Sequence, residues 1–355
     1  MVSTRRAAAE TSPAVARTTS LTRFAETAEA VAATSSKLSK VKLLGDYLRE
    51  LHGDGLALAT RYFAARVFPV GDARTVGVGG SALSQVFLEM GGTDDAELSR
   101  LWRRYADAGD CAYHVVSNTS PSPKASSSPL DLLEVEAAFD ALARAEGSRA
   151  RTLALAELLA RCTALEAKYI VKLITGDMRI GLREGLVEEA VGKAFGRDPA
   201  AVSRAAMILG DLGEVARLAL DDALASVAPR LFMPLRFMLA SPVADAEEAV
   251  RRLGEDVWVE DKYDGIRCQL HRSKDRVALF SRDLRDVTGQ FPEVAQAAAL
   301  LPALLILDGE LLAPSVSRGH ESLQSLQGVD ILRSLVMAPA HNSGKAQRIT
   351  RAVSG

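Results

Sequence analysis

Eight consecutive residues, Glu260-Asp261-Lys262-Tyr263-Asp264-Gly265-Ile266-Arg267, carry the densest chemistry in the chain. In an extended strand successive side chains point to opposite faces. Glu260, Lys262 and Asp264 therefore share one face, and Val259 and Tyr263 the other. A face carrying Glu, Lys and Asp together is unusual for a packed sheet and suits a polar pocket that holds a lysine beside carboxylates. Lysine attacks as a nucleophile only when neutral, so its neighbours set its reactivity. Asp264-Gly265 is also a hairpin signal, because Asp-Gly supplies the positive φ angles of a type I′ turn. The plainer reading of the same residues is a hairpin with a surface lysine paired to a flanking acid.

Two later segments bear on that choice. Phe280-Ser281-Arg282-Asp283 follows a short apolar strand, and an arginine at a strand exit is a reasonable partner for phosphate or carboxylate. In Leu307-Asp308-Gly309-Glu310-Leu311 two acids interrupt an otherwise apolar strand. Acids inside a buried strand are costly unless they meet a partner or a ligand; a simple turn is the alternative. A third cluster lies earlier in the chain. Lys172, Arg179 and Arg183 surround Gly176 and Gly181. Glycine lets a phosphate approach the backbone closely, and the cations could neutralise it. A helix–turn–helix junction with solvated cations explains the same residues without DNA.

These residues must be positioned by elements whose patterns differ between the two halves. Helical spacing dominates to about Leu224. Leu38, Val41, Leu44, Leu48 and Leu51 form one stripe, with Ser35 or Ser36 as N-cap. The spacing predicts another helix over 183–195, ended by Gly196, with Asp198-Pro199 opening the next. Residues 1–20 read as a disordered leader, and the Ser/Pro tract 117–129 as a surface loop. Pro229, Pro234 and Pro242 mark a linker over 229–245. Beyond it, period-two runs predict strands at 257–263, 266–271, 277–280 and 304–312.

Composition narrows the classes. The 355 residues are 48% hydrophobic and 25% charged, an ordinary globular balance with room for two or three domains. With aromatics at 5%, Ala, Leu and Val must supply most of the core. A net charge of −2 means that any nucleic-acid surface is a local patch. Three scattered cysteines fit a reducing cytoplasm and offer no metal cluster, and no apolar run is long enough for a membrane span.

In their order and spacing the three segments of the second half resemble the nucleotidyltransferase superfamily of ATP-dependent DNA ligases, RNA ligases and mRNA-capping enzymes. Lys262 to Arg267 matches the first motif, Lys-x-Asp-Gly-x-Arg, in full; Ser281-Arg282 and Asp308-Gly309-Glu310 match two more. Residues 168–182, KYIVKLITGDMRIGL, resemble the signature of the helical domain that precedes the catalytic core of ATP-dependent DNA ligases. Leu231 to Ala240 is similar to their linker. Capping enzymes and RNA ligases lack that helical domain.

The resemblance implies an all-α DNA-binding domain at 21–228, followed after the linker by an α+β nucleotidyltransferase (ATP-grasp-like) domain, partial over 246–313. It implies ATP and Mg²⁺ as cofactors, and nicked duplex DNA in repair, replication and recombination as the partner of a monomer. Lys262 would be the nucleophile that takes up AMP. Glu260 would read the adenine edge, Arg267 and Arg282 would hold ribose or phosphate oxygens, and Glu310 would take the ribose hydroxyls or the metal. Lys172, Gly176, Arg179, Gly181 and Arg183 would face DNA. The pattern also calls for a further glutamate motif, a lysine motif and an OB-fold domain that residues 314–355 do not supply. That stretch reads as an atypical tail, basic and free of acids over 331–355. The expectation is a catalytic domain cut short, with weak or absent sealing by itself, or a nicked-DNA binder without catalysis.

Overall fold

Polar caps punctuate the first half of the chain. Ser20, Ser36, Asp94, Asp107, Asp198 and Asp211 each accept a backbone N–H from the first turn of the helix they precede, satisfying donors that have no partner within the helix. Asp131 and Thr163 form full capping boxes with Glu134 and Glu166. The computed structural model describes residues 18–70, 72, 74–119, 130–237, 242–254 and 265–312, together with the backbone of 335–337. It divides the chain into two units, Met1–Val227 and Ala228–Gly355.

Among the described residues the first unit is helical: α1 (Leu21–Ala32), α2 (Lys37–Arg49), α3 (Gly53–Phe63), α4 (Gly80–Glu89), α5 (Asp95–Tyr105), α6 (Ala108–Asn118), α7 (Leu132–Arg144), α8 (Ser148–Leu159), α9 (Ala164–Thr175), α10 (Glu184–Phe195), α11 (Pro199–Leu209) and α12 (Leu212–Leu220). α6 packs on α9, α2 on α10 and α3 on α12. Leu, Ala and Val fill most of the core, yet its centre is aromatic. Phe24 lies 4.8 Å from Phe63, 6.0 Å from Tyr62 and 6.4 Å from Tyr169, ring centre to ring centre.

Leu38 is 70% exposed. At about 100° per residue it falls outside the arc of Lys40, Val41, Leu44, Tyr47 and Leu48, which are the buried side chains of α2. Thr19 and Ser20 belong to the fold, not to a leader. Both are buried, and the Leu132 N–H donates to the Thr19 carbonyl at 3.0 Å. Ser117 and Asn118 close α6 instead of opening a loop, with the Ser117 hydroxyl donating to the Tyr113 carbonyl. Residues 1–17 and 120–129 lie outside the described residues.

The second unit contains α13 (Ala246–Leu253), β1 (Ile266–Arg272), β2 (Val277–Ser281), α14 (Pro292–Ala298), β3 (Leu305–Leu311) and β4 (Leu335–Met337), the sheet order being β2-β1-β3-β4, antiparallel throughout. β4, within the stretch read as a tail, pairs with Leu307–Gly309 of β3. Leu304 stays outside β3 at φ 64°, largely exposed. One face of the sheet is apolar: Cys268, Leu270, Leu279, Leu307 and Leu311 pack with Val294 and Ala298 of α14. The other face is polar.

Gly265 does not take the positive φ of a type I′ turn. Its missing side chain serves another purpose, because a Cβ there would run into the Leu311 carbonyl oxygen and the Leu312 side chain. Strand entry beside β3 therefore requires glycine for close approach, not for turn geometry. The strand expected at 257–263, with Glu260, Lys262 and Asp264, lies outside the described residues.

The aromatic centre generates a direct test. Phe24→Ala is expected to cost about 3–5 kcal/mol, since a buried ring is replaced by a cavity. Urea unfolding of the helical unit checks this, and a loss below about 1 kcal/mol would contradict the role given to Phe24.

Candidate functional site

Antiparallel partners directly opposite each other share a face. Arg267 is opposite Glu310, Gln269 opposite Asp308, and His271 opposite Ile306. On the other side of β1, Gln269 faces Phe280 and His271 faces Ala278. One face of the sheet thus carries Arg267, Gln269, His271, Asp308 and Glu310.

Asp308, one of the two acids that interrupt β3, meets a partner as its cost requires. Arg267 donates Nε to Asp308 Oδ1 at 3.1 Å and Nη2 to Oδ2 at 2.6 Å. This is the two-pronged geometry that makes arginine–carboxylate pairs strong and directional. The Asp308 carboxylate holds the Arg267 guanidinium above its ordinary pKa. The Phe237 ring centre lies 4.4 Å from the Arg267 guanidinium and 5.8 Å from that of Arg282. Arg282, just past β2, is exposed.

The segment before the sheet supplies Phe237 and is stitched to the polar face. The Phe232 N–H donates to His271 Nδ1 at 2.9 Å. The Leu235 N–H donates to Gln269 Oε1 at 2.8 Å, and Gln269 Nε2 returns a bond to the Leu235 carbonyl at 2.5 Å. The three alternate residues of β1 thus each engage one residue of this strap: Arg267 with 237, Gln269 with 235, His271 with 232. His271 is fully buried, and burial lowers its pKa to about 4. It is a neutral acceptor at Nδ1, so its proton sits on Nε2.

In the helical unit the α9–α10 connection holds the other expected site. Met178 and Ile180 are buried while Asp177, Arg179, Gly181 and Arg183 are exposed, so alternate residues anchor and present the loop. Gly176 and Gly181 have φ of 72° and 66°. Arg179 has a left-handed backbone at φ 50°, held by its N–H donating to Asp177 Oδ1, and its Nη1 donates to the Ala106 carbonyl at 2.7 Å.

Lys172 does not face outward as the resemblance implies. It is 4% exposed, and its Nζ donates to Asp107 Oδ2 at 2.6 Å. It presents no ammonium to a phosphate. Burial pushes the Asp107 carboxyl up, but Lys172, the Asp110 N–H and Arg179 outweigh it and hold it below the usual range. Gly109 permits the pair, because a Cβ there would meet Lys172 Cγ at 2.5 Å and the Lys168 carbonyl at 2.6 Å.

Sequence reasoning missed Lys40. It is buried in α2, and its Nζ donates to the Val31 and Ile180 carbonyls at 2.7 and 2.5 Å, pinning the loop beside Gly181. It missed Phe237, Gln269 and His271 as well. The polar alternation of β1 was visible, but nothing local says what covers that face.

With this geometry in view, the chain can be compared with known proteins. Residues 20–192 match the family model described as DNA ligase N terminus, and residues 237–337 match that of the ATP dependent DNA ligase domain. A probable DNA ligase of Koribacter versatilis (strain Ellin345) is 45% identical over 290 residues, covering 82% of this chain and 50% of that protein. A probable DNA ligase of Opitutus terrae is 38% identical, covering 83% of this chain and 35% of that protein. A DNA ligase of Methanopyrus kandleri is 33% identical, covering 76% and 49%. The chain thus spans about half, or less, of the length of these relatives.

Two tests follow from the buried groups. Lys172→Met leaves the buried Asp107 with the Asp110 N–H and the more distant Arg179, and is expected to destabilise the helical unit by about 3–5 kcal/mol in urea unfolding. Stability unchanged, with weaker DNA binding alone, would return Lys172 to the surface role. For His271, the unfolded state binds its proton near pH 6.5 and the folded state only near 4. Stability of the sheet unit should therefore fall as pH drops through that window, by up to about 3 kcal/mol. His271→Gln should flatten the slope in calorimetry at stepped pH.

Proposed function

Because the chain belongs to the family of ATP-dependent DNA ligases, we propose that it takes up AMP from ATP on Lys262 and acts on nicked duplex DNA. The observation that carries this reading is the shared polar face. Arg267 and Glu310 stand opposite each other in the sheet, Arg267 and Arg282 both lie within about 6 Å of one aromatic ring centre, and Arg267 is the last residue of the motif that begins at Lys262.

In this reading the neutral Lys262 amine attacks the α-phosphorus of ATP. A nitrogen–phosphorus bond forms, the bond to the β-phosphate oxygen breaks, and pyrophosphate leaves with the electron pair. The AMP group then passes to the 5′-phosphate of a nick, and the 3′-hydroxyl displaces AMP as the strand closes. Glu260 reads the adenine edge. Arg267 keeps Nη1 for a ribose or phosphate oxygen, since Asp308 occupies Nε and Nη2. Arg282 serves a second oxygen, and Glu310 the ribose hydroxyls or the metal.

The residues fit a magnesium ion in one limited way. Among the described residues no group of three His, Cys, Asp or Glu side chains could hold a metal, and Asp308 is committed to Arg267. Magnesium is commonly held by one or two carboxylates together with substrate phosphates, so Glu310 is the residue that would hold it. When bound it supplies neutralising charge to the triphosphate.

The helical unit contributes the DNA surface. Arg179 and Arg183, on a loop kept open by Gly176 and Gly181, would neutralise backbone phosphates, with Lys40 and the Asp107–Lys172 pair holding that loop from beneath. No helix of the described residues is long and apolar enough to cross a membrane.

Incubation with α-labelled ATP and Mg²⁺, followed by denaturing electrophoresis, tests the reading. A covalent AMP adduct is expected with the full chain and none with Lys262→Ala. An adduct that survives in Lys262→Ala would remove Lys262 as the nucleophile. Nick binding without any adduct would reduce the function to DNA binding.

A further inference from the structure

The Phe237 ring centre lies within about 6 Å of both arginines that the proposed reading assigns to the nucleotide, and Phe237 belongs to a strap with its own fastenings. The strap runs along the polar face of β1 and is fixed at 232 by His271 and at 235 by Gln269. The Phe232 ring is a second anchor, lying 4.2 Å from the Arg276 guanidinium. These contacts leave the half-buried Phe237 ring little freedom relative to β1. The ring face attracts a guanidinium that lies within about 6 Å of its centre, and Arg267 and Arg282 both do.

The two arginines differ in what else holds them. Arg267 is also gripped by Asp308 through two hydrogen bonds. Arg282 is exposed, beyond the end of β2, and a long flexible side chain there would otherwise pay rotamer entropy to meet a ligand. A shared aromatic platform lowers that cost for Arg282 and orients the free edge of Arg267.

We propose that Phe237 is a positioning residue for the nucleotide site, its ring holding the Arg267 and Arg282 guanidinium groups at the spacing that receives the ligand's phosphate and ribose oxygens. The inference rests on the reading that this face of the sheet receives ATP. Gln269 and His271 act one step further back, by fixing the strap that carries the ring.

The test uses the full chain with Phe237→Leu, which keeps apolar bulk but removes the π face, and Phe237→Tyr, which keeps both. Phe237→Leu should raise KM for ATP in adenylation about five- to tenfold, the scale of a partly desolvated cation–π contact, with kcat and thermal midpoint little changed. Phe237→Tyr should restore KM to within about twofold of the unsubstituted chain. The arginine Nε–H resonances of Arg267 and Arg282, shifted by the ring in the unsubstituted chain, should lose that shift in Phe237→Leu. Unchanged KM together with unchanged arginine resonances in Phe237→Leu overturns the proposal, as does a KM rise matched by an equal rise in Phe237→Tyr. Arg267→Ala separates the two ideas: if it leaves KM for ATP unchanged, the nucleotide reading fails, and the arginine resonances then decide the positioning role alone.

Discussion

Along β1 successive side chains must leave opposite faces of the sheet, and this constraint organises the second unit. Ile266, Cys268 and Leu270 go to the apolar side and join α14 in a small core. Arg267, Gln269 and His271 go to the other side, where hydrocarbon cannot satisfy them. Each finds a polar or aromatic partner in the strap between 232 and 237 or in β3. A strand buried on both faces is usually apolar on both. Here one face carries polar side chains and is nearly as buried, a cost reduced by the hydrogen bonds of Gln269, of His271 Nδ1 and of the Arg267–Asp308 pair.

The same economy governs the helical unit. A buried ammonium without a partner would lose its charge, and two lysines are buried there. Lys172 is paired with Asp107, while Lys40 donates to two carbonyls and burial lowers its pKa. Both lysines border the 176–183 loop, one from α9 and one from α2. The loop that presents Arg179 and Arg183 is therefore held by charges that never reach the surface. In that arrangement a lysine near a glycine-rich turn is a fastening, and the arginines are the exposed surface.

How far the site could be read from the chain varied with how local its determinants are. Caps such as Ser36 and Asp198, the stop at Gly196 and the period-two runs at 266–271 and 277–280 are set within a few residues, and the elements form where those signals lie. The motif order was legible too, and it led to the family. Leu38 shows the limit: it has the right spacing but falls outside the buried arc, because the partner helix and not the stripe decides what is covered. Asp264-Gly265 shows another. The dipeptide suits a turn, yet Gly265 is required by the nearness of the Leu311 carbonyl, 46 positions further along the chain.

By itself the sequence determined the helical first half, the strand alternation of the second and the residue types of the candidate site, because each depends on backbone sterics and near neighbours. Only the tertiary structure decided that Lys172 turns inward to Asp107, that Arg267 spends half its fork on Asp308, and that the strap lays Phe237 against two arginines. Those outcomes join residues 65, 41, 30 and 45 positions apart. They are settled by which charges and rings share a buried space once the chain has folded, and no local pattern encodes that.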